Sequence, residues 1–145
     1  MCVKVKGQWK WLYRAVDTDG DTIEFLLSAN RDKKAALRFF KKAIRQHGTP
    51  RVINIDKSGA NRAGIDELNS KMGLGIEVRQ VKYLNNIVEQ SHRKIRRMTR
   101  PMMGFGNFWS AATTIAGIEI VDMIYRNQID IAGQTPAERF RALAA

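Results

Sequence analysis

The chain has 145 residues, enough for one domain with a sizeable core. A hydrophobic fraction of 44% with three tryptophans excludes a disordered tail, and a net charge of +11 with a pI near 10.2 points to a polyanionic partner. The lone cysteine, Cys2, excludes a disulfide framework and fits a reducing cytoplasm, and no apolar run reaches the length of a signal peptide or a membrane span.

Trp9, Trp11, Tyr13 and Ala15 alternate with Lys10, Leu12, Arg14 and Val16 at the period of a strand. Asp17-Thr18-Asp19-Gly20-Asp21 supplies turn residues, and Thr22 to Leu27 returns as a second strand, so a hairpin is expected. A calcium loop is the weaker reading of those aspartates, because glycine comes one residue too early and the later glutamate is lacking. Asp32 caps a helix with Ala36, Phe39, Phe40, Ala43 and Ile44 on its apolar face, stopped by Gly48 and Pro50. The other side of that helix carries Lys33, Lys34, Arg38, Lys41, Lys42 and Arg45, either a solvated face or a phosphate-contacting one.

A strand over 51–56, a helix around 61–72, a strand over 76–81 and a helix from about Asn86 to Met98 follow, the last broken before Pro101. Asn85 and Asn86 stand where they can cap that helix. Asn107 caps a last long helix, expected to present Trp109, Ala112, Ala116, Ile120, Met123 and Ile124 to the core. Thr135-Pro136-Ala137-Glu138 is a late capping signature with proline at the first helical position. Strand, strand, helix, strand, helix, strand, helix, helix is the order of a mixed α/β layer fold.

Basic charge is concentrated. From Arg31 to Arg51 eight basic residues face one acidic, and from Arg79 to Pro101 seven face one, which is Glu89. Nucleic acid is the favoured polyanion, since no basic helix also carries the bulky apolar face of a membrane anchor. Asp56 ends the apolar run Val52-Ile53-Asn54-Ile55, and Glu89, His92, Arg93 and Arg96 fall on one helix face at offsets of zero, three, four and seven. Two carboxylates beside a basic surface are what two-metal phosphodiester chemistry needs. Plainer readings stay open on spacing alone: a Glu89–Arg93 pair at i,i+4, and Asp56 as a turn former. His47 and His92, with one cysteine, cannot build a zinc site on their own.

Asp56-Lys57-Ser58-Gly59-Ala60-Asn61 and the run from Arg79 to Arg93 resemble the second and third blocks of the catalytic core of bacterial insertion-sequence transposases, insertion sequence family six in particular. Val3 to Asp17 looks like the family's first block, and Arg100-Pro101-Met102-Met103-Gly104-Phe105 like the stretch after its glutamate, so the resemblance covers roughly residues 3 to 126. It implies an α/β RNase H-like core, a mixed sheet flanked by helices, over residues 1–128, with a C-terminal tail and short helix over 129–145. It further implies magnesium-dependent DNA nicking and joining, with manganese able to substitute, and Asp56 and Glu89 as catalytic metal ligands. Arg96 matches the family's basic residue seven positions after the glutamate, and Lys57, Lys82, Asn86, His92, Arg93 and Arg97 join it as expected DNA contacts. The implied partners are transposon-end and target DNA and further copies of a transposase, in the bacterial cytoplasm near the nucleoid and with no membrane.

The resemblance departs at the front. The family's first metal-binding aspartate lies a few residues before the Val-Lys-Val-Lys-Gly segment, whereas the first acidic residue here is Asp17, in a hairpin turn. The expectation is a core truncated in its first strand, without the family's helix-turn-helix and with two of three metal ligands, inactive alone. The alternatives are a DNA-binding remnant that pairs with or inhibits an intact transposase, and a nuclease working with two carboxylates.

Overall fold

The structure is a computed structural model and describes residues 1–144. Strands β1 (Cys2–Val5), β2 (Gln8–Val16) and β3 (Thr22–Ser28) form an antiparallel sheet in that order. Lys6 and Gly7 turn β1 into β2, both with positive φ (49° and 75°), the backbone a two-residue hairpin demands. Between β2 and β3, Asp17 accepts the N–H groups of Asp19 and Asp21 at 2.9 Å each, so this carboxylate serves its own turn.

Alternation along β2 sends side chains into two cores. Tyr13 joins Phe39 and Phe40 of helix α1 (Lys33–His47) and Ile65 and Leu68 of helix α2 (Gly59–Met72) on one face. Leu12 joins Ile95 of helix α3 (Asn86–Thr99) and Ala111 and Ile115 of helix α4 (Phe108–Tyr125) on the other. The sheet is thus covered on both sides, and each large buried side chain contributes roughly 1.5–3 kcal/mol. Asp32 caps α1 as expected, accepting the Ala35 N–H at 2.8 Å. Gly64 lets α2 approach α1 closely: a Cβ there would sit 3.1 Å from that of Ala36.

The remaining strands, β4 (Val52–Asn54) and β5 (Glu77–Arg79), pair in parallel as a separate sheet. Strand content is mixed as expected, but the sheet is not continuous. Among the described residues β4 pairs only with β5, and the second edge of β1 makes one isolated bridge, Val5 to Phe105. A broad cleft of about 1770 Å³ is lined by Met1 to Lys4 and by Val52 to Asp56.

Helix α4 corrects one expectation. Asn107 caps it, accepting the Ser110 N–H at 2.7 Å, but the fully buried positions are Ala111, Ile115, Glu119 and Ile124. Trp109 is 75% exposed and Ile120 also faces outward. The helix is apolar around most of its circumference, so periodicity favours no face; the buried partner of Glu119 selects it. Helix α5 (Pro136–Ala144) opens with the expected box, Glu138 accepting from the Gln134 and Thr135 N–H groups and Thr135 Oγ1 from that of Glu138. No helix among the described residues is long and apolar enough to cross a membrane.

Candidate active site

Asp56 stands just past the end of β4, where the chain turns into α2. Its Oδ1 accepts the Ser58 N–H (3.1 Å) and the Asn61 side-chain amide (3.2 Å), while Oδ2 accepts from Arg31 Nη2 (3.0 Å). Glu89 lies in the first turn of α3, where the positive end of the helix dipole favours a carboxylate. Its Oε1 is 3.3 Å from His92 Nδ1. Both carboxylates are about half exposed, and both line the one cleft together with Arg31, Asn61, Asn85 and Arg96.

Asn54, two residues before Asp56, ties the two carboxylate-bearing segments together. Its side chain accepts the Val81 N–H (2.9 Å) and donates to the Val81 carbonyl (3.2 Å) and to Asn85 Oδ1 (2.6 Å). It thereby anchors the short 3-10 turn at 82–85 that leads into α3, which fixes where Glu89 begins. Asn85 spends its side chain here and makes no cap bond to α3, against expectation. The available signal was a polar residue inside the apolar run Val52-Ile53-Asn54-Ile55.

A second clamp lies two residues beyond Glu89. Ser91 is buried and accepts from Arg14 Nη1 at 2.9 Å. Arg14 also grips Glu119 with two bonds, Nε to Oε1 at 2.6 Å and Nη2 to Oε2 at 3.0 Å, and Thr22 Oγ1 donates to the same carboxylate at 3.1 Å. The arginine and glutamate side chains are each 1% exposed. One buried ionic network therefore binds β2, β3, α3 and α4. Sequence reasoning missed it, although a single glutamate inside an apolar helix marks a group that must find a buried partner.

His92, expected to contact DNA or to cap a hydrogen bond, is 7% exposed and bonds Glu89. Burial first, then the Met1 ammonium and the Arg14 guanidinium, push its pKa down to about 4 against the opposing pull of Glu89, so the ring is neutral at pH 7. It backs Glu89 through Nδ1, and its Nε2 is buried without a partner. The partner of Glu89 is therefore His92 at i,i+3 rather than Arg93 at i,i+4. Arg96 lines the cleft with Glu89, while Lys82, Asn86, Arg93 and Arg97 are exposed on the surface near it in sequence. Lys57 lies beside Asp56, lining a small adjoining recess with Arg31 and Ser58.

The donor set suits a hard cation: carboxylate oxygens, one of them Asp56 Oδ2 with no partner but a guanidinium. Among the described residues no group of three or more His, Cys, Asp or Glu side chains converges as a ready metal site.

Residues 1–128 match a family described as a DDE domain. The chain is 32% identical over 148 residues to the transposase for insertion sequence-like element IS431mec of Staphylococcus aureus, and equally to the transposase for insertion sequence element IS257 in transposon Tn4003 of the same species. Each match covers 99% of this chain and 64% of the relative, so the chain spans under two thirds of the length of these curated relatives. Among solved structures, the HTLV-2 integrase catalytic core domain in complex with magnesium, in its dimeric form, is similar with a TM-score of 0.60 at 17% identity, covering 96% of this chain and 89% of that one. A chain of the simian T-cell lymphotropic virus intasome in complex with PP2A regulatory subunit B56 gamma matches at 0.62 and 16%, covering 96% and 51%. Identity that low shows likeness of fold, and the fold is the RNase H-like core that the sequence implied.

Proposed function

This chain belongs to the DDE-domain family of insertion-sequence transposases, and from that premise we propose that Asp56 and Glu89 are two of the carboxylates that hold its catalytic metal. The observation that carries the proposal is that both side chains line one cleft and that Asn54 couples the segments bearing them. The reaction is nicking of DNA at transposon ends and joining of the freed strand to target DNA. A bound magnesium or manganese ion would activate the attacking oxygen and neutralise charge on the scissile phosphate.

The chain's own residues bind and orient. Ser58 and Asn61 occupy Asp56 Oδ1 and leave Oδ2 for a ligand, and neutral His92 steadies Glu89 from behind. Arg96 inside the cleft, with Lys57, Lys82, Asn86, Arg93 and Arg97 around it, holds the phosphate backbone. His92 is left out of that contact set on account of its burial. Further transposase copies and DNA ends complete the working assembly, which acts on DNA in the cytoplasm.

Two-metal chemistry needs carboxylates around both ions, and a defect in stabilising the transition-state charge costs roughly 3–4 kcal/mol of barrier. With two carboxylates, these 145 residues alone bind a divalent ion loosely and join no DNA strands. A second reading, that this chain occupies transposon DNA or pairs with an intact transposase without cutting, draws its support from the lack of a third carboxylate among the described residues. Manganese titration followed by electron paramagnetic resonance tests the site: Asp56→Asn and Glu89→Gln should each weaken binding several-fold. Equal affinities in the variants and the parent would refute the assignment. A magnesium-dependent joining assay on terminal-repeat DNA separates the two readings, and robust joining by this chain would show that its third carboxylate has been overlooked.

A further inference from the structure

Arg31 lies outside every motif that points to Asp56 and Glu89, yet it is the residue that occupies the candidate metal site. Its Nη2 donates to Asp56 Oδ2 at 3.0 Å, and its guanidinium lies over the Trp11 ring with the Cζ 5.1 Å from the centroid. The two oxygens of Asp56 are treated differently. Oδ1 is engaged by two donors from the turn and the start of α2, whereas Oδ2 has Arg31 alone.

We infer that Arg31 is a stand-in cation: it neutralises Asp56 while no divalent ion is bound, and gives up Oδ2 to the ion and moves onto a DNA phosphate when metal and DNA arrive. The inference rests on the reading of Asp56 as a metal ligand. Three physical features support it. The pair is exposed, 40% for Arg31 and 51% for Asp56, so the contact is weak enough to exchange. A divalent cation that takes Oδ2 as ligand repels the guanidinium at that range and weakens its bond to the same oxygen. Trp11 is half-buried against the core and remains in place, so its face keeps the released guanidinium at the cleft, where a planar fork suits a phosphate. Retaining positive charge at the cleft is chemically useful, since the incoming backbone is anionic along its whole length.

The test uses the full chain and manganese, with folding of each variant checked by circular dichroism. Arg31→Gln should bind manganese about twofold to fivefold more tightly than the parent, the range of an exposed ion pair. Arg31→Lys, which keeps the charge, should bind manganese as the parent does. The gain from Arg31→Gln should vanish in an Asp56→Asn background. A second measurement follows the salt dependence of duplex binding. Arg31→Gln should reduce the slope of log K against log salt by about one when manganese is present, and leave it unchanged without metal. If Asp56→Asn alone leaves manganese affinity untouched, the metal reading itself is wrong. If Asp56→Asn weakens manganese binding but Arg31→Gln does not tighten it, the metal reading stands and the stand-in role falls. A slope that drops equally with and without manganese would make Arg31 a permanent phosphate contact and overturn the exchange.

Discussion

Replacing Glu119 by leucine should be among the most damaging single changes available in this fold. The carboxylate is 1% exposed and accepts two bonds from an equally buried Arg14, with Thr22 adding a third. Leucine fills much of the volume but leaves the guanidinium with only the neutral oxygens of Ser91 and Thr22. Breaking a buried pair by removing one partner costs about 3–5 kcal/mol, a large share of the roughly 5–15 kcal/mol that holds a typical domain together. With a urea m-value of about 2 kcal/mol per molar, the midpoint should fall by roughly 2 M at unchanged slope. The double variant Arg14→Met with Glu119→Leu should recover most of that loss, because a well-packed apolar pair replaces the ionic one without stranding a charge. Urea unfolding followed by tryptophan fluorescence reads both. A midpoint for Glu119→Leu within about 0.3 M of the parent, or a double variant no more stable than the single, would refute the account of a network held by charge pairing.

His92 should stay neutral through the physiological range: its folded pKa, about 4, lies below the unfolded value near 6.5. The unfolded chain therefore takes up the extra proton first, and the stability that this ring contributes is full above about pH 6.5 and lost as pH falls towards 4, by up to about 3 kcal/mol. An imidazole NMR titration midpoint near 6.5 would contradict this. Asn54→Leu leaves the Val81 N–H and Asn85 without their partner, so stability should drop by about 1–3 kcal/mol in urea. Manganese affinity should weaken in the same variant although no ligand has changed; unchanged affinity would remove Asn54 from the positioning of the site. Duplex DNA binding should weaken linearly on a log–log plot against salt, and each of Arg93→Gln, Arg96→Gln and Arg97→Gln should lower the slope by about one. Slopes that match the parent would put those arginines off the DNA.

The features legible in the amino-acid order were those written locally. The Trp9–Val16 alternation, the Asp32, Asn107 and Thr135 caps and the apolar face of α1 depend on residues within a turn or two of each other, and all appear where expected. The family blocks around Asp56 and Glu89 led to the RNase H-like fold before any contact was known. Tertiary structure alone decided which side of α4 is buried, because a helix apolar nearly all round has no preferred face until a partner 105 residues away, Arg14, claims Glu119. It also turned His92 inward, set Asn85 against Asn54, separated β4 and β5 from the other sheet, and laid Arg31 on Asp56. The Arg14–Glu119, Asn54–Asn85 and Arg31–Asp56 contacts join groups far apart in the chain, and such pairings leave no periodicity or spacing to read. The buried pair among them, Arg14 with Glu119, is chosen by where buried polar atoms can find partners once the layers have packed.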